Sequence, residues 1–553
     1  MAGAVALQSH LSVMEDARRK IAGLDGMEKG GQKVEPAQRQ AARKSLQDAT
    51  AAMVRFADYL AKRWPEEELA NTCRLQIGLA YIRSGKYADA LPVLTAIPKE
   101  SRSKPPALMQ SALIHYQLAE GMSADPSAKA AEAAKAVELL KQIPPLADVI
   151  DKGLTDNFLQ SRLRLASEYY GGKNFQALSG VLAELDGVRA RLDDESRNAY
   201  GALFQRADLY SVVLAMTRAN EAKDPAAQAD ILDQGVARLA KAKSSLNAKP
   251  TVASFLEKAL TAAVVANRPE MSARVVATGV ELAGSPPQDE DCQNLARVLL
   301  SSSRRALSSG LSPMDGQREE RSAHLSAVLA KVPETILTGD ATRRLLANAH
   351  ETVGGAGKDG AREFEKALKI LEPVAKPLLE KPTELQGARE KQVLVVNYLR
   401  LLRLTGQLEL ERAQLTKATE AGGWGVRSLD VALEDTQALI AEKKFGLATR
   451  KVKPIADQLE TKIQGVGPNP NQADRSIVDR YTEAVALQII AYEGYGRANK
   501  DSQSSQKAAA LMADLEKRPW YQQAPDFWIR RLTRLATESP EFKENCEKFR
   551  KGK

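Results

Sequence analysis

Residues 74–98 read RLQIGLAYIRSGKYADALPVLTAIP, and the order of small and large residues in this stretch decides the fold. Apolar side chains recur every three or four positions on both sides of Ser84, Gly85 and Lys86, which predicts two helices joined by a tight turn. Gly78 and Ala90 are small where two antiparallel helices would need to approach closely, and Ile77 and Leu94 are large where they would interdigitate. Tyr81 and Tyr87 can fill the groove on either side of the turn, and Gly85 can take a backbone conformation that other residues resist.

The rest of the chain has the composition this hairpin predicts. Of 553 residues, 44% are hydrophobic and only 5% aromatic, with Ala and Leu carrying most of the apolar share, which argues against a large β-sheet protein. One core stops growing at roughly 250–300 residues, so the chain must divide into domains or repeats. Helical periodicity continues elsewhere, as in Leu75, Leu79 and Ile82, or Leu159, Leu163, Ala166 and Tyr170.

A proline four residues after a leucine recurs at Leu94/Pro98, Leu140/Pro144, Leu246/Pro250, Leu282/Pro286, Leu329/Pro333, Leu378/Pro382 and Leu515/Pro519. The leucine would be the last core contact of a helix and the proline its stop. Several intervals lie near roughly 35–50 residues, the period of a helical-hairpin solenoid.

Residues 74–98 resemble the tetratricopeptide repeat (TPR). Ile77, Gly78, Tyr81, Gly85, Tyr87, Ala90 and Leu94 stand where that family has its large apolar, Gly, aromatic, turn Gly, aromatic, small and large residues. The unit departs from the family at Arg74, where an aromatic is usual, at Ile97, and at the early Pro98. Degenerate copies follow at Leu165, Ala166, Tyr169, Phe175 and Leu182, and at Phe445, Ala448 and Val452. The stretch 56–70, FADYLAKRWPEEELA, is similar to bacterial envelope-assembly proteins carrying such repeats. The resemblance implies an all-α, right-handed α-solenoid of antiparallel helical hairpins. On this reading residues 1–35 are an N-terminal capping helix and loop, 36–284 TPR-like repeats, 285–498 more degenerate repeats, and 499–553 C-terminal capping helices.

Signatures of chemistry are sparse. His350-Glu351 begins like a zinc-binding H-E-x-x-H, but Gly354 replaces the second His. The Gly-rich 354–360, GGAGKDG, lacks the Ser or Thr and the spaced first Gly of a phosphate loop, and reads as a connection between helices. Cys73, Cys292 and Cys546 are odd in number and far apart, which speaks against a disulfide framework or zinc site. Carboxylate runs such as Glu66 to Glu68 suit the positive ends of helices. These patterns predict no enzyme, no cofactor and no metal.

The formal charge of +9 is spread along the sequence, so nucleic acid is disfavoured as a partner. Its densest cluster is Arg530, Arg531 and Arg534 beside Trp528, which reads as a solvated helix face. The N-terminus lacks a basic n-region and no run reaches roughly 18 apolar residues. A signal peptide and a membrane span are therefore not predicted, which leaves the cytoplasm as the default compartment and envelope association as the alternative.

What remains is surface. A solenoid of hairpins exposes a groove lined by first helices, suited to a partner's peptide or helix. The expected function is a protein-interaction scaffold or adaptor, with a structural subunit of a larger assembly and an RNA-binding helical repeat as alternatives. Candidate partner-binding residues are Arg74, Gln76 and Arg83 on the first helix of the sharp unit. Trp520, Trp528 and Arg531 near the C-terminus are either a docking patch or a helix sealing the end of the array.

Overall fold

The computed structural model describes residues 2–29, 34–64, 67–122, 125–144, 152–242, 249–284, 287–312, 314–420, 423–426 and 428–551. Among these, all regular structure is helical: 25 α-helices and short 3-10 turns. The helices pack largely in sequential pairs, consistent with a helical repeat array.

The predicted hairpin is present. Helices Glu68–Arg83 and Tyr87–Thr95 flank Gly85, whose φ is +70°. A methyl group at Gly78 would land on the Leu94 side chain, so the absence of a side chain sets how closely these helices approach. Ala90 and Leu94 are fully buried, while Tyr81 and Tyr87 are half-buried and pack on the same cluster.

The turn after Gly85 recurs in a form the sequence conceals. In six hairpins a residue with left-handed φ follows within two positions of the first helix's end, and the next residue's N–H donates to the carbonyl five positions before it. The pairs are Lys86 to Tyr81, Asn174 to Tyr169, Arg268 to Ala263, Gln407 to Leu402, Lys444 to Leu439 and Asp501 to Gly496, at 2.7–2.9 Å. The left-handed residues are Gly85, Lys173, Asn267, Gly406, Lys443 and Lys500. Each satisfies a carbonyl left over at the helix end and starts the second helix two residues later. Phe175 and Phe445, recognised as degenerate matches to Tyr87, occupy the position after two of these turns.

The leucine–proline marks behave as stops. Helices Tyr87–Thr95, Pro126–Lys141, Gln317–Leu329, Gly360–Glu380 and Ser502–Glu516 end just before Pro98, Pro144, Pro333, Pro382 and Pro519. Leu246 and Pro286 lie outside the described residues. Pro92, Pro373, Pro377 and Pro454 sit inside helices instead.

The chain forms two compact units, Met1–Leu214 and Ala215–Lys553. Within the second unit, helices Lys249–Val265, Pro269–Ala283 and Asp289–Ser308 pack on one another.

The first unit begins with the paired helices Ala2–Lys29 and Pro36–Arg63, where Met14 and Met53 are buried in one cluster. Its core is a series of clusters, each shared by neighbouring hairpins. Glu68 shows how one hairpin docks on the next: its carboxylate accepts from Ser101 Oγ at 2.9 Å, and from Ser103 N at 3.0 Å and Ser103 Oγ at 2.8 Å. Those donors lie just before the Lys104–Gly121 helix, whose positive end favours a carboxylate.

The second unit folds back on itself. The Asp526–Glu538 helix reaches elements more than 170 residues earlier: Arg318 Nη1 donates to Asp526 Oδ2 at 2.9 Å, and Arg530 Nη1 to the Gly355 carbonyl at 2.9 Å. A terminal helix merely sealing an open end would not touch this middle part.

Candidate functional site

Four hairpins of the second unit have first helices Asp340–Gly354, Arg389–Leu404, Leu429–Ala441 and Gln472–Asn499. One face of these helices carries a continuous ionic ladder. Arg400 reaches Glu351 at 3.5 Å and donates to Glu434 at 3.1 Å. Arg403 donates to the other oxygen of Glu434 through Nε at 3.0 Å and Nη2 at 2.7 Å, and to Gln437 at 2.9 Å. Gln437 passes the chain on to Glu483 at 3.1 Å, and Arg480 closes it by pairing with Glu483 at 3.2 Å and with Asp430.

The electrostatics follow from burial. Glu434 is fully buried, which opposes its ionisation, yet the guanidiniums of Arg403 and Arg400 outweigh that and hold its carboxyl below the usual range. Its neighbour Glu411 is also fully buried, and no donor forms a hydrogen bond to either oxygen; Arg403 Nε stands 3.5 Å away. Burial pushes the Glu411 carboxyl well up, with Glu434 adding repulsion, so Glu411 favours the neutral form.

Arg531 is near enough to Arg403, Glu434 and Glu483 for their charges to act on it. Burial, and then Arg403, lower its guanidinium to about 10, so it remains a cation at neutral pH. Its ring neighbour is Trp528, 5.4 Å from the guanidinium carbon. The basic cluster read as a solvated face is thus divided. Arg530 is held by Asp526 at 3.0 Å and the Gly355 carbonyl, Arg531 is half-buried beside Trp528, and Arg534 is exposed beside Glu538.

Trp520 and Trp528 are 1% and 6% exposed and belong to the core shared with Tyr481, Ile489 and Phe542. An exposed tryptophan docking patch is therefore corrected to a buried seat. Trp520 meets Tyr481 edge-on at 5.8 Å. Apolar burial of rings this large outweighs exposure wherever a core lies within reach.

In the first unit Arg74 is half-buried and donates to Asn71 at 2.7 Å, and Gln76 is half-buried. Arg83 is exposed and near enough to Arg18 to add to the lowering that burial imposes there. These three candidates are far in sequence from Trp520, Trp528 and Arg531 and belong to the other unit.

The histidines have structural partners. His350 Nδ1 lies 2.6 Å from Glu363 Oε2, whereas Glu351 turns to Arg400, so the two halves of the zinc-like motif face different residues. Burial opposes ionisation of Glu363, but hydrogen bonds from His350, Lys366 and Ser326 prevail and hold its carboxyl at about 2. His324 Nε2 lies 2.9 Å from Ser272 Oγ, a nucleophile–base spacing, but its buried Nδ1 has no hydrogen-bond partner to orient the ring. No cluster of metal-ligating side chains occurs among the described residues. Nor is any described helix long and apolar enough to cross a membrane. The Gly-rich 354–360 connects two helices, as expected, and packs beneath Phe527.

Fold and site together define an all-α protein built as a helical repeat array. No family model matches the chain, and no curated protein matches it. Among solved structures it is similar to one described as a circular tandem repeat protein with novel repeat topology and enhanced subunit contact surfaces. The identity is 14% over 89% of this chain and 99% of that one, with a TM-score of 0.16.

Proposed function

We propose that the chain is a non-enzymatic protein-interaction scaffold or adaptor of TPR-like character, holding a partner's peptide or helix against the faces of its first helices. What supports this reading is the run of hairpins, whose first helices, such as Arg389–Leu404, Leu429–Ala441 and Gln472–Asn499, pack side by side. Such a row recognises an extended or helical segment, because each successive hairpin offers one more contact to it.

The test is capture followed by reconstitution. The immobilised chain is expected to retain a protein that, once purified, binds it in a calorimeter, and Arg74→Glu with Arg83→Glu is expected to weaken that binding at least tenfold without changing the melting temperature. If a partner binds with unchanged affinity, the groove of the first unit is not the site. If no protein binds at all, the scaffold reading fails.

A second reading, a structural subunit of a larger assembly, is favoured by one surface. Tyr59 and Trp64 are exposed, meet edge-on at 6.2 Å, and have Arg63 stacked 5.5 Å from the Trp64 ring. Aromatic and Arg groupings of this kind are common at interface centres. Light scattering on the purified chain separates the readings: self-association abolished by Trp64→Ser supports the subunit, and a monomer supports the adaptor.

A further inference from the structure

We infer that the adjoining hairpin turns at Lys443 and Lys500 form a docking patch for an acidic segment of a partner protein, one that sets a large apolar side chain among its carboxylates. This rests on the scaffold reading and names the partner's chemistry at the turns of the array, outside the ladder.

Helix packing brings the two turns together. The Tyr481 hydroxyl donates to Glu460 near one end of the helices Phe445–Ile463 and Gln472–Asn499, and at the other end a methyl group on Gly446 would meet the Tyr495 ring at 3.4 Å. The pair is therefore antiparallel. A side chain at Gly494 would run into the Phe445 ring, so the approach at this end is close. The register sets Lys443 and Lys444, just before one helix, level with Arg497 and Ala498 at the end of the other. Lys500 follows in the next turn. Two large apolar side chains remain uncovered at this end, Leu447 at 52% exposed and Tyr495 at 39%.

The charges decide what such a patch attracts. The carboxylates around it are already committed: Glu442 to Arg412 and Lys444, Asp435 to Arg412 and Lys451, Asp457 to Lys453, and Asp501 to the Gln503 N–H and Ser504 Oγ. Lys443, Arg450, Arg497 and Lys500 are exposed, and no carboxylate among the described residues pairs with any of them. Arg450 stands three positions after Leu447 and shares its side of the helix. Lys443 and Lys500 also hold left-handed φ of 59° and 52°, where glycine would turn the chain without strain. Both turns thus carry a cation where the backbone favours a residue with no side chain. Four unpaired cations draw carboxylates to the patch, and Leu447 with Tyr495 gives an apolar side chain between those carboxylates a place to leave water. Two apolar side chains are too small a face to enter a bilayer, and Leu447 offers a nucleic-acid base nothing to stack on.

The experiment uses the 553-residue chain and a fluorescein-labelled decapeptide in which Asp and Glu surround one Trp and one Leu, read by anisotropy. Saturable binding is expected, weakened at least tenfold by Lys443→Glu with Arg497→Glu and at least threefold by Leu447→Ser, with the melting temperature unchanged. Lys443→Gln with Arg497→Gln serves in the same way if the reversed pair does not fold. A peptide with Ser in place of its Trp and Leu is expected to bind at least tenfold more weakly. Equal affinity for the two peptides, or full affinity in the folded charge variants, overturns the inference. So does tighter binding, lost in the same variants, to phosphatidylserine vesicles or to single-stranded DNA. If a captured protein keeps its affinity for Lys443→Glu with Arg497→Glu, this inference falls and the scaffold reading stands. If the peptide binds at the patch and no protein is captured, the patch stands and the scaffold reading falls.

Discussion

Arg318 and Asp526 are 208 residues apart in the chain and joined by a hydrogen bond of 2.9 Å. The arginine side chain is 3% exposed and also donates to the Ser312 carbonyl, so the pair closes the second unit from within. Removing one partner of such a pair leaves the other desolvated, which costs more than the pair itself contributes. Asp526→Ala is therefore expected to destabilise the unit by about 1–3 kcal/mol, less than a fully buried break because Asp526 is 37% exposed. Hydrogen exchange should show the loss at both 317–329 and 526–538; protection lost at only one of them would mean the contact does not couple the two elements.

Glu363 and Glu411 should respond to pH with opposite signs. The Glu363 carboxyl, held at about 2 against an ordinary 4.5, contributes stability that is present above pH 4.5 and lost as pH falls towards 2. Glu363→Gln is expected to lose roughly 3 kcal/mol at pH 7 and progressively less below pH 4.5, measured by urea melts across that range. A deficit that does not shrink on acidification would show that the hydrogen bonds from His350, Lys366 and Ser326 are not its source.

Glu411 is the reverse case, because burial raises its carboxyl and the folded state favours the proton. Its stabilising effect is present below pH 4.5 and is lost as pH rises above that value. Glu411→Gln keeps the shape and removes the titration, so its stability relative to the parent should grow steadily from pH 5 to pH 8. A variant less stable than its parent at pH 8 would contradict the neutral assignment.

The shared left-handed turn makes a prediction about residues that look unremarkable. Lys443 and Lys500 have φ of 59° and 52°, where a side chain is strained by roughly 1–2 kcal/mol. Replacing either by Gly relieves that strain while loosening the unfolded chain, for an expected net gain of about 0.5–1 kcal/mol. Gly85→Ala should have the opposite effect, and thermal melts of the three variants suffice to compare them.

Close approach in the first unit depends on Gly78. Gly78→Ala should cost about 1–3 kcal/mol by forcing its methyl against Leu94. Combining it with Leu94→Ala should cost less than the two changes added separately, since the second makes room for the first. Strict additivity would place the strain elsewhere.

Much of the helical architecture was legible before any coordinates. Gly78, Gly85, Tyr87, Ala90 and Leu94 announce a hairpin because sterics act locally: a small residue permits contact and a turn glycine permits positive φ, wherever they occur. The same turn at Lys173, Lys443 and Lys500 left no such mark, because packing on both flanking helices overrides a lysine's modest preference. Trp520 and Trp528 were visible as notable residues, but their hydrophobicity could not say whether a partner or their own core would cover them.

Sequence alone determined that this chain is helical, that it is built from hairpins, and where several of them stop. Only the tertiary structure decided that Asp526–Glu538 returns to Arg318 and Gly355, and that Arg400, Arg403, Glu434 and Glu483 form one ladder. The reason is physical. Helix periodicity and turn chemistry depend on neighbours a few residues away, whereas an arginine that meets a distant carboxylate has the same local spacing as one that meets water.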